Sequence, residues 1–186
     1  MNLEEKVLSE ELIFKGHVIE VVNETVKLPN GEQSNREIVH HHGAVGILAI
    51  TDEEKIVLVN QWRAPIRKTS LEIPAGKIDG DDHNLIETAT RELNEETRYE
   101  AKHLAEIYGF HSAIGFADEY LTLFYATGLE NVDNELPQDI DEFLNVVELT
   151  FNEVQAKIKS GEITDVKTIL AVNHWEIERL KGELHG

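Results

Sequence analysis

Arg91-Glu92-Leu93-Asn94-Glu95-Glu96 sets three carboxylates at i, i+3 and i+4, directly after an arginine. At about 100° per residue, a helix carries all three within one arc of its surface, where they repel one another. An acidic arc is ordinarily a solvated face. Two features argue against that here. The arc lies mid to late in the helix, where the macrodipole disfavours negative charge. It also follows the Pro74-Ala75-Gly76 turn and a Gly/Asp-rich loop from Lys77 to His83, an arrangement that leaves room for a ligand. A hard cation such as Mg²⁺ would relieve the repulsion, since it takes carboxylate oxygens and keeps water and substrate phosphate as its other ligands. Arg91 is placed to pair with a neighbouring carboxylate and fix its direction.

The elements that must position this arc are legible around it. Asn84 and Glu87 have capping-box spacing, which predicts a helix from Asn84 to Glu96. Ile86, Ala89, Leu93 and Thr97 form the stripe expected to face the core. Strands are expected at 17–28 and 35–41, joined by the Pro29-Asn30-Gly31 turn as a hairpin. Further strands are expected at 43–50, 56–59, 70–73, 105–110, 119–126 and 144–149. Helices follow at 151–159 and from Asp165 to about Leu184; in the second, Val166, Ile169, Leu170, Asn173, Ile177, Leu180 and Leu184 share helical spacing. Strands come in runs with few helices between them, so the pattern reads as α+β or an α/β/α sandwich. Residues 1–42 are too few to bury a core of their own. They are expected to pack as a β extension on a main domain spanning 43–186, or on a second subunit.

Composition narrows the partners. The chain has 186 residues, 41% hydrophobic, with no cysteine, and 36 acidic side chains against 17 basic ones give a formal charge of −19. Disorder, disulfide scaffolds, zinc ribbons and thiol nucleophiles are excluded. The opening MNLEEKVLSEELIF lacks the basic-then-apolar order of a signal peptide. No apolar run approaches the roughly 18 to 20 residues a bilayer span needs. The charge repels nucleic acid and anionic lipid. The expectation is a soluble cytoplasmic protein with small-molecule or protein partners. Any anionic ligand requires a local reversal of the field, by a cation or a few placed arginines.

Residues 76–99, GKIDGDDHNLIETATRELNEETRY, resemble the Nudix box, G-x5-E-x7-R-E-U-x-E-E-x-G-U, with its R-E-U-x-E-E core complete. The wider chain resembles the ADP-ribose pyrophosphatase branch of that family. The matching pieces are Arg36-Glu37-Ile38-Val39, Gly43-Ala44-Val45, Val59-Asn60-Gln61-Trp62-Arg63, Glu72-Ile73-Pro74-Ala75-Gly76-Lys77-Ile78-Asp79 and Gly115-Phe116-Ala117-Asp118-Glu119, in the order expected of that branch. The resemblance implies a Nudix-type α/β/α sandwich with a mixed sheet, an N-terminal antiparallel β extension and a homodimer. It implies that Glu92 and Glu96, helped by Glu95 and the carbonyl of Ala75, bind Mg²⁺ or Mn²⁺, with Arg91 orienting the glutamates. Arg36, Glu37, Arg63 and Glu72 fall where the branch contacts ADP-ribose. Glu142, in the acidic loop before the last strand, is the candidate base or metal ligand.

Three positions depart from the pattern. Asp82 stands where the first box glutamate belongs, with eight residues instead of seven before Arg91. Arg98 replaces the glycine after the glutamate pair, where a β-carbon opposes a left-handed turn. Ile114 replaces a proline typical of the branch. None removes an R-E-x-x-E-E ligand.

Other candidates weigh less. On a strand, at most two of His40, His41 and His42 converge, so a strand end is favoured over a metal site. Trp62 and Trp175 read as core, with base stacking the rival for Trp62. Phe116 is balanced between a ligand wall and a loop anchor. The implied activity is metal-dependent hydrolysis of the pyrophosphate of ADP-ribose to AMP and ribose 5-phosphate. The rivals are a Nudix-fold nucleotide sensor with little turnover and a nucleotide-sugar pyrophosphatase.

Overall fold

The Val- and Thr-rich hairpin forms, but with a third strand that no alternation announces. In the computed structural model, which describes residues 2–78, 84–138 and 143–185, the chain divides into two compact units. The first comprises Met1–Gly43 and Phe110–Leu121. Its strands β1 (Lys6–Lys15), β2 (Ile19–Lys27) and β3 (Gln33–His41) make an antiparallel sheet in that order. Gly31 takes φ 93°, and Leu28 and Glu32 close the β2–β3 turn with a 2.8 Å hydrogen bond. Val22 and Val26 are buried, whereas every residue of β1 is exposed. The segment after β3 in space comes from far along the chain: Val39 donates to the Phe116 carbonyl at 2.8 Å, and the Asp118 amide donates back to Val39 at 3.1 Å.

The second unit, Ala44–Gly109 and Thr122–Gly186, holds the main core. It is built on β4 (Ala44–Ile50), β5 (Lys55–Arg63), β6 (Lys68–Glu72), β7 (Ala75–Lys77), β8 (Tyr99–His111), β9 (Tyr120–Asn131) and β10 (Leu144–Thr150). The sheet order is β10-β5-β4-β9-β8, with β6 paired to β5 and β7 to β4. Every residue of β4 is buried, the continuous apolar run of a strand covered on both faces. Alternation divides those residues between two clusters. Val45, Ile47 and Ala49 pack with Ala89 and Leu93 of α1 (Leu85–Thr97). Leu48 and Ile50 pack with Val154 of α2 (Phe151–Ser160) and Ala171, Val172 and Trp175 of α3 (Val166–His185). A mixed sheet between α1 on one side and α2 and α3 on the other is the α/β/α sandwich the sequence predicts.

Several side chains sit differently from expectation. Ile86 is exposed, so the buried stripe of α1 begins at Thr88 and Ala89. The buried face of α3 is Lys167, Thr168, Ala171, Val172 and Trp175, while Val166, Ile177 and Leu180 are exposed. Apolar spacing misread that helix because two of its buried side chains are polar and paired. Trp62 is exposed, not core, whereas Trp175 is buried edge-to-face against Phe151. Leu184 and the loops holding Asp82 and Glu142 lie outside the residues whose side chains are described. Among the described residues, no helix is long and apolar enough to cross a membrane.

Candidate active site

The glutamate arc is anchored first by the start of its helix. Asn84 Oδ1 accepts from the amides of Ile86 and Glu87, both at 3.0 Å, and Asn84 Nδ2 donates to Glu87 Oε1. The Asx cap thus forms as its spacing predicts. From there α1 turns Glu92 and Glu96 inward beside Leu93; both are buried, Glu96 at 1% exposure. A solvated acidic face is thereby excluded for these two.

Their surroundings are specific. The Ala75 amide donates to Glu96 Oε2 at 3.0 Å, so β7 contributes a backbone N–H to the glutamates. Arg91 Nη1 donates to Glu92 Oε1 at 2.8 Å and to Glu95 Oε2 at 2.9 Å, and Nη2 reaches the Lys77 carbonyl at 3.3 Å. Gly76 lies directly under Glu92: a β-carbon there would fall 1.9 Å from the Glu92 Cδ and 2.1 and 2.2 Å from its oxygens. Only a residue without a side chain lets this carboxylate rest on β7.

The C-terminal end of α1 corrects an expectation. Arg98 does adopt the left-handed conformation, at φ 65° and ψ 23°, without a glycine. Its guanidinium bonds the Leu136 carbonyl and lies 3.5 Å from Glu135. Asn94, the variable position of the glutamate motif, completes the tie through Asn134 O at 3.0 Å and Leu136 N at 2.9 Å.

A second charged group forms on β5 and β6. Arg63 grips Glu72 with two parallel bonds, Nε to Oε1 at 2.9 Å and Nη2 to Oε2 at 2.7 Å. The Lys167 ammonium donates to the same Oε2 at 2.5 Å and lies 3.2 Å from Asp165. Burial alone pushes the Glu72 carboxyl up, but Arg63 and Lys167 outweigh it and hold the group at about 2. Asp165 Oδ2 caps α3 by accepting from the Thr168 amide at 3.0 Å and its hydroxyl at 2.6 Å, and Thr168 Oγ1 accepts from the Ile73 amide at 2.9 Å. Lys167 and Thr168 were missed by the sequence reading. Asp165-x-x-Thr168 is a capping spacing at the helix start the sequence predicts, and it could have flagged Thr168, but nothing local marks Lys167, whose partner is 95 residues away.

The remaining expected contacts lie in the first unit. Arg36 is held by Glu5, Nε to Oε2 at 2.9 Å and Nη2 to Oε1 at 2.5 Å. Glu37 is exposed and sits opposite Asn23 in the β2–β3 register. The Phe116 ring is exposed while its backbone anchors the loop to β3. His40 Nδ1 lies 2.6 Å from Asp118, a bond that raises the imidazole's affinity for a proton, and His41 Nδ1 lies 3.6 Å from Glu119. The histidines thus serve as carboxylate partners that fasten the 112–119 loop.

Residues 40–170 match the NUDIX domain. The chain belongs to the Nudix family. Among curated relatives of this Nudix hydrolase, one described as a methanol dehydrogenase activator, from Bacillus methanolicus, is 45% identical over 94% of each chain. One described as an ADP-ribose pyrophosphatase, from Bacillus subtilis strain 168, is 44% identical over 95% of each. A solved structure described as an ADP compounds hydrolase shares the fold, with TM-score 0.84, 21% identity and 98% coverage of both chains.

Nudix hydrolases generally use divalent cations, and the donor set here fits a hard one. Its donors are carboxylate oxygens, two of the three glutamates are buried one turn apart, and the bare backbone of Gly76 is what lets the Glu92 carboxylate lie against β7. Among the described residues no three His, Asp or Glu side chains gather at metal-binding spacing. Arg91 and the Ala75 amide hold the glutamates in this arrangement.

Proposed function

We propose that this Nudix hydrolase cleaves the pyrophosphate of ADP-ribose, giving AMP and ribose 5-phosphate. The observation that carries the reading is the 44% identity, over nearly the whole of both chains, to a relative described as an ADP-ribose pyrophosphatase. The buried glutamate pair supports it. Glu92 and Glu96, with Glu95, would hold the cation, which we assign as Mg²⁺ with Mn²⁺ as substitute; the Ala75 carbonyl is proposed as a further ligand. When bound, the cation neutralises phosphate charge and lowers the pKa of an attacking water.

The chain's own residues do the rest. The Ala75 amide fixes Glu96, and Arg91 fixes the directions of Glu92 and Glu95. Arg63, aligned by Glu72, holds the phosphate or ribose distant from the reacting bond, so binding energy orients that bond. Arg36, Glu37 and Phe116 are proposed to complete substrate binding. Glu142 is proposed to accept the proton of the water as its oxygen bonds to phosphorus and the P–O–P bridge breaks. Near-full turnover in Glu142→Gln would end that role.

The test is release of AMP from ADP-ribose, with nucleotide sugars as rival substrates, in Mg²⁺, Mn²⁺ or EDTA, and Glu96→Gln alongside. Metal-dependent AMP release, lost in Glu96→Gln, is the expected result. A rise in melting temperature with ADP-ribose but no turnover would make the site a sensor. A second reading comes from the relative described as a dehydrogenase activator: the same hydrolytic site serves an alcohol dehydrogenase. Stimulation of such an enzyme by the wild type, and none by Glu96→Gln, would support it.

We further propose residues 1–42 as a dimerisation extension of a hydrolase domain spanning 43–186. The support is β1, which leaves Val7, Leu8, Leu12, Ile13 and Phe14 all more than half exposed. A mass of 21.1 kDa in light scattering at micromolar concentration would refute it. A cytoplasmic setting goes with this reading, and cell fractionation checks it.

A further inference from the structure

The first turn of α3 carries a buried ammonium where a helix end least favours one. Lys167 is 8% exposed and sits one residue after the start of α3, so both burial and the macrodipole oppose its charge. Its positions relative to Glu72 and Asp165 are what compensate. The next residue, Thr168, is fully buried, and its hydroxyl oxygen accepts the Ile73 amide. Two neighbouring residues of one helical turn therefore hold the last residue of β6 and the one after it, Glu72 by its carboxylate and Ile73 by its backbone.

From Ile73 the path to the glutamates is short. The Pro74 carbonyl accepts from Ile47 of β4 at 2.8 Å, and the Ala75 amide donates to buried Glu96. The backbone between Glu72 and Gly76 is thus pinned from three sides, by α3, β4 and α1. One end of it aligns Arg63 and the other carries the donor to Glu96 and the floor beneath Glu92.

We infer that Lys167 and Thr168 are positioning residues that join the nucleotide-binding arm, Arg63–Glu72, to the glutamate centre through the 72–76 backbone. The inference rests on the proposed hydrolase reading for its kinetic consequences, while its mechanical claim is independent of any substrate. The two residues act on different ends and so have separable effects. Lys167 works through Glu72 and Arg63, hence on substrate affinity. Thr168 works through the backbone that leads to Glu96, hence on turnover.

The experiment compares Lys167→Met, Lys167→Arg, Thr168→Val and Thr168→Ser with the wild type. Removing one charge-assisted hydrogen bond predicts about a ten-fold rise in KM for ADP-ribose in Lys167→Met, with kcat changed much less. Lys167→Arg, which keeps a cation near Glu72, should recover most of that loss. Thr168→Val should lower kcat with KM little changed, and Thr168→Ser should restore it. A purely structural role would instead reduce the active fraction, leaving KM unmoved in every variant. Amide hydrogen exchange supplies the readout without substrate: Ile73 and Ala75 should exchange at least several-fold faster in Thr168→Val than in the wild type, relative to β4. If Lys167→Met leaves KM unchanged, or Thr168→Val leaves both amides as protected as before, the inference is overturned. If wild-type protein neither binds nor cleaves ADP-ribose, the ADP-ribose reading fails. The exchange result alone then decides this inference: faster exchange upholds it and unchanged exchange overturns it.

Discussion

Gly76→Ala should separate folding from catalysis. The new methyl would sit 1.9 Å from the Glu92 Cδ, against a carbon–carbon contact distance of about 3.5 Å, so the carboxylate must retreat by about 1.5 Å. Gly76 has no positive φ, so alanine is allowed on the backbone. The obstructing atoms are the far end of a flexible side chain, which can swing at the cost of its bond to Arg91, about 1 to 3 kcal/mol for a charge-assisted pair. The lower entropy of the unfolded chain with alanine offsets about 0.4 to 1 kcal/mol of this. Stability should therefore fall by no more than about 3 kcal/mol. Turnover should fall much further, because a displacement of about 1 Å in a catalytic constellation can cost about 100-fold. The assays are thermal denaturation and Mg²⁺-dependent AMP release on the same preparation. A variant with kcat within three-fold of wild type would refute the claim that Gly76 sets the position of Glu92. A variant that failed to fold would refute the claim that the side chain can yield.

Other perturbations follow from single contacts. Arg98→Gly should be more stable than Arg98→Ala by about 1 kcal/mol, since both lose the Leu136 bond but only glycine removes the left-handed strain; equal melting temperatures would contradict this. Asn84→Ala removes the acceptor of two helix amides and should cost about 1 kcal/mol in chemical denaturation. Glu72 titrates at about 2 when folded against 4.5 ordinarily. Its ionisation therefore adds stability that is fully present above about pH 4.5 and is lost as pH falls toward 2. That contribution is on the order of 3 kcal/mol. Glu72→Gln should be destabilised at neutral pH, because it leaves two cations without their carboxylate. Its stability should also depend less on pH across that acid range.

What the sequence disclosed divides by the range of the interactions. The Asn84 cap, the buried run of β4 and the glutamate arc rest on neighbours a few residues apart, and all three could be read directly. Strand β1 could not, because Val7-Leu8 and Leu12-Ile13-Phe14 place apolar side chains on both faces and give no period-two signal. The buried face of α3 was misphased for a related reason. Lys167 and Thr168 are inside because Glu72 and Ile73 receive them, and no hydropathy pattern contains those partners. Trp62 stays outside although it is aromatic and flanked by an apolar strand. Arg98 shows the reverse case, a local rule broken at φ 65° and offset by contacts to residues 135 and 136.

The composition of the first unit from two distant stretches has a consequence for synthesis. Its three strands pair locally and can form as soon as residue 41 leaves the ribosome. The loop that occupies the other edge of β3 arrives much later, since His40 and Asp118 are 78 residues apart. At 5 to 20 residues per second that is roughly 4 to 16 s of waiting. During that interval the Val39 amide and carbonyl lack the partners they have in the finished protein. The nascent chain thus carries an open strand edge while 78 of its 186 residues are added, and a slowed ribosome would lengthen the exposure.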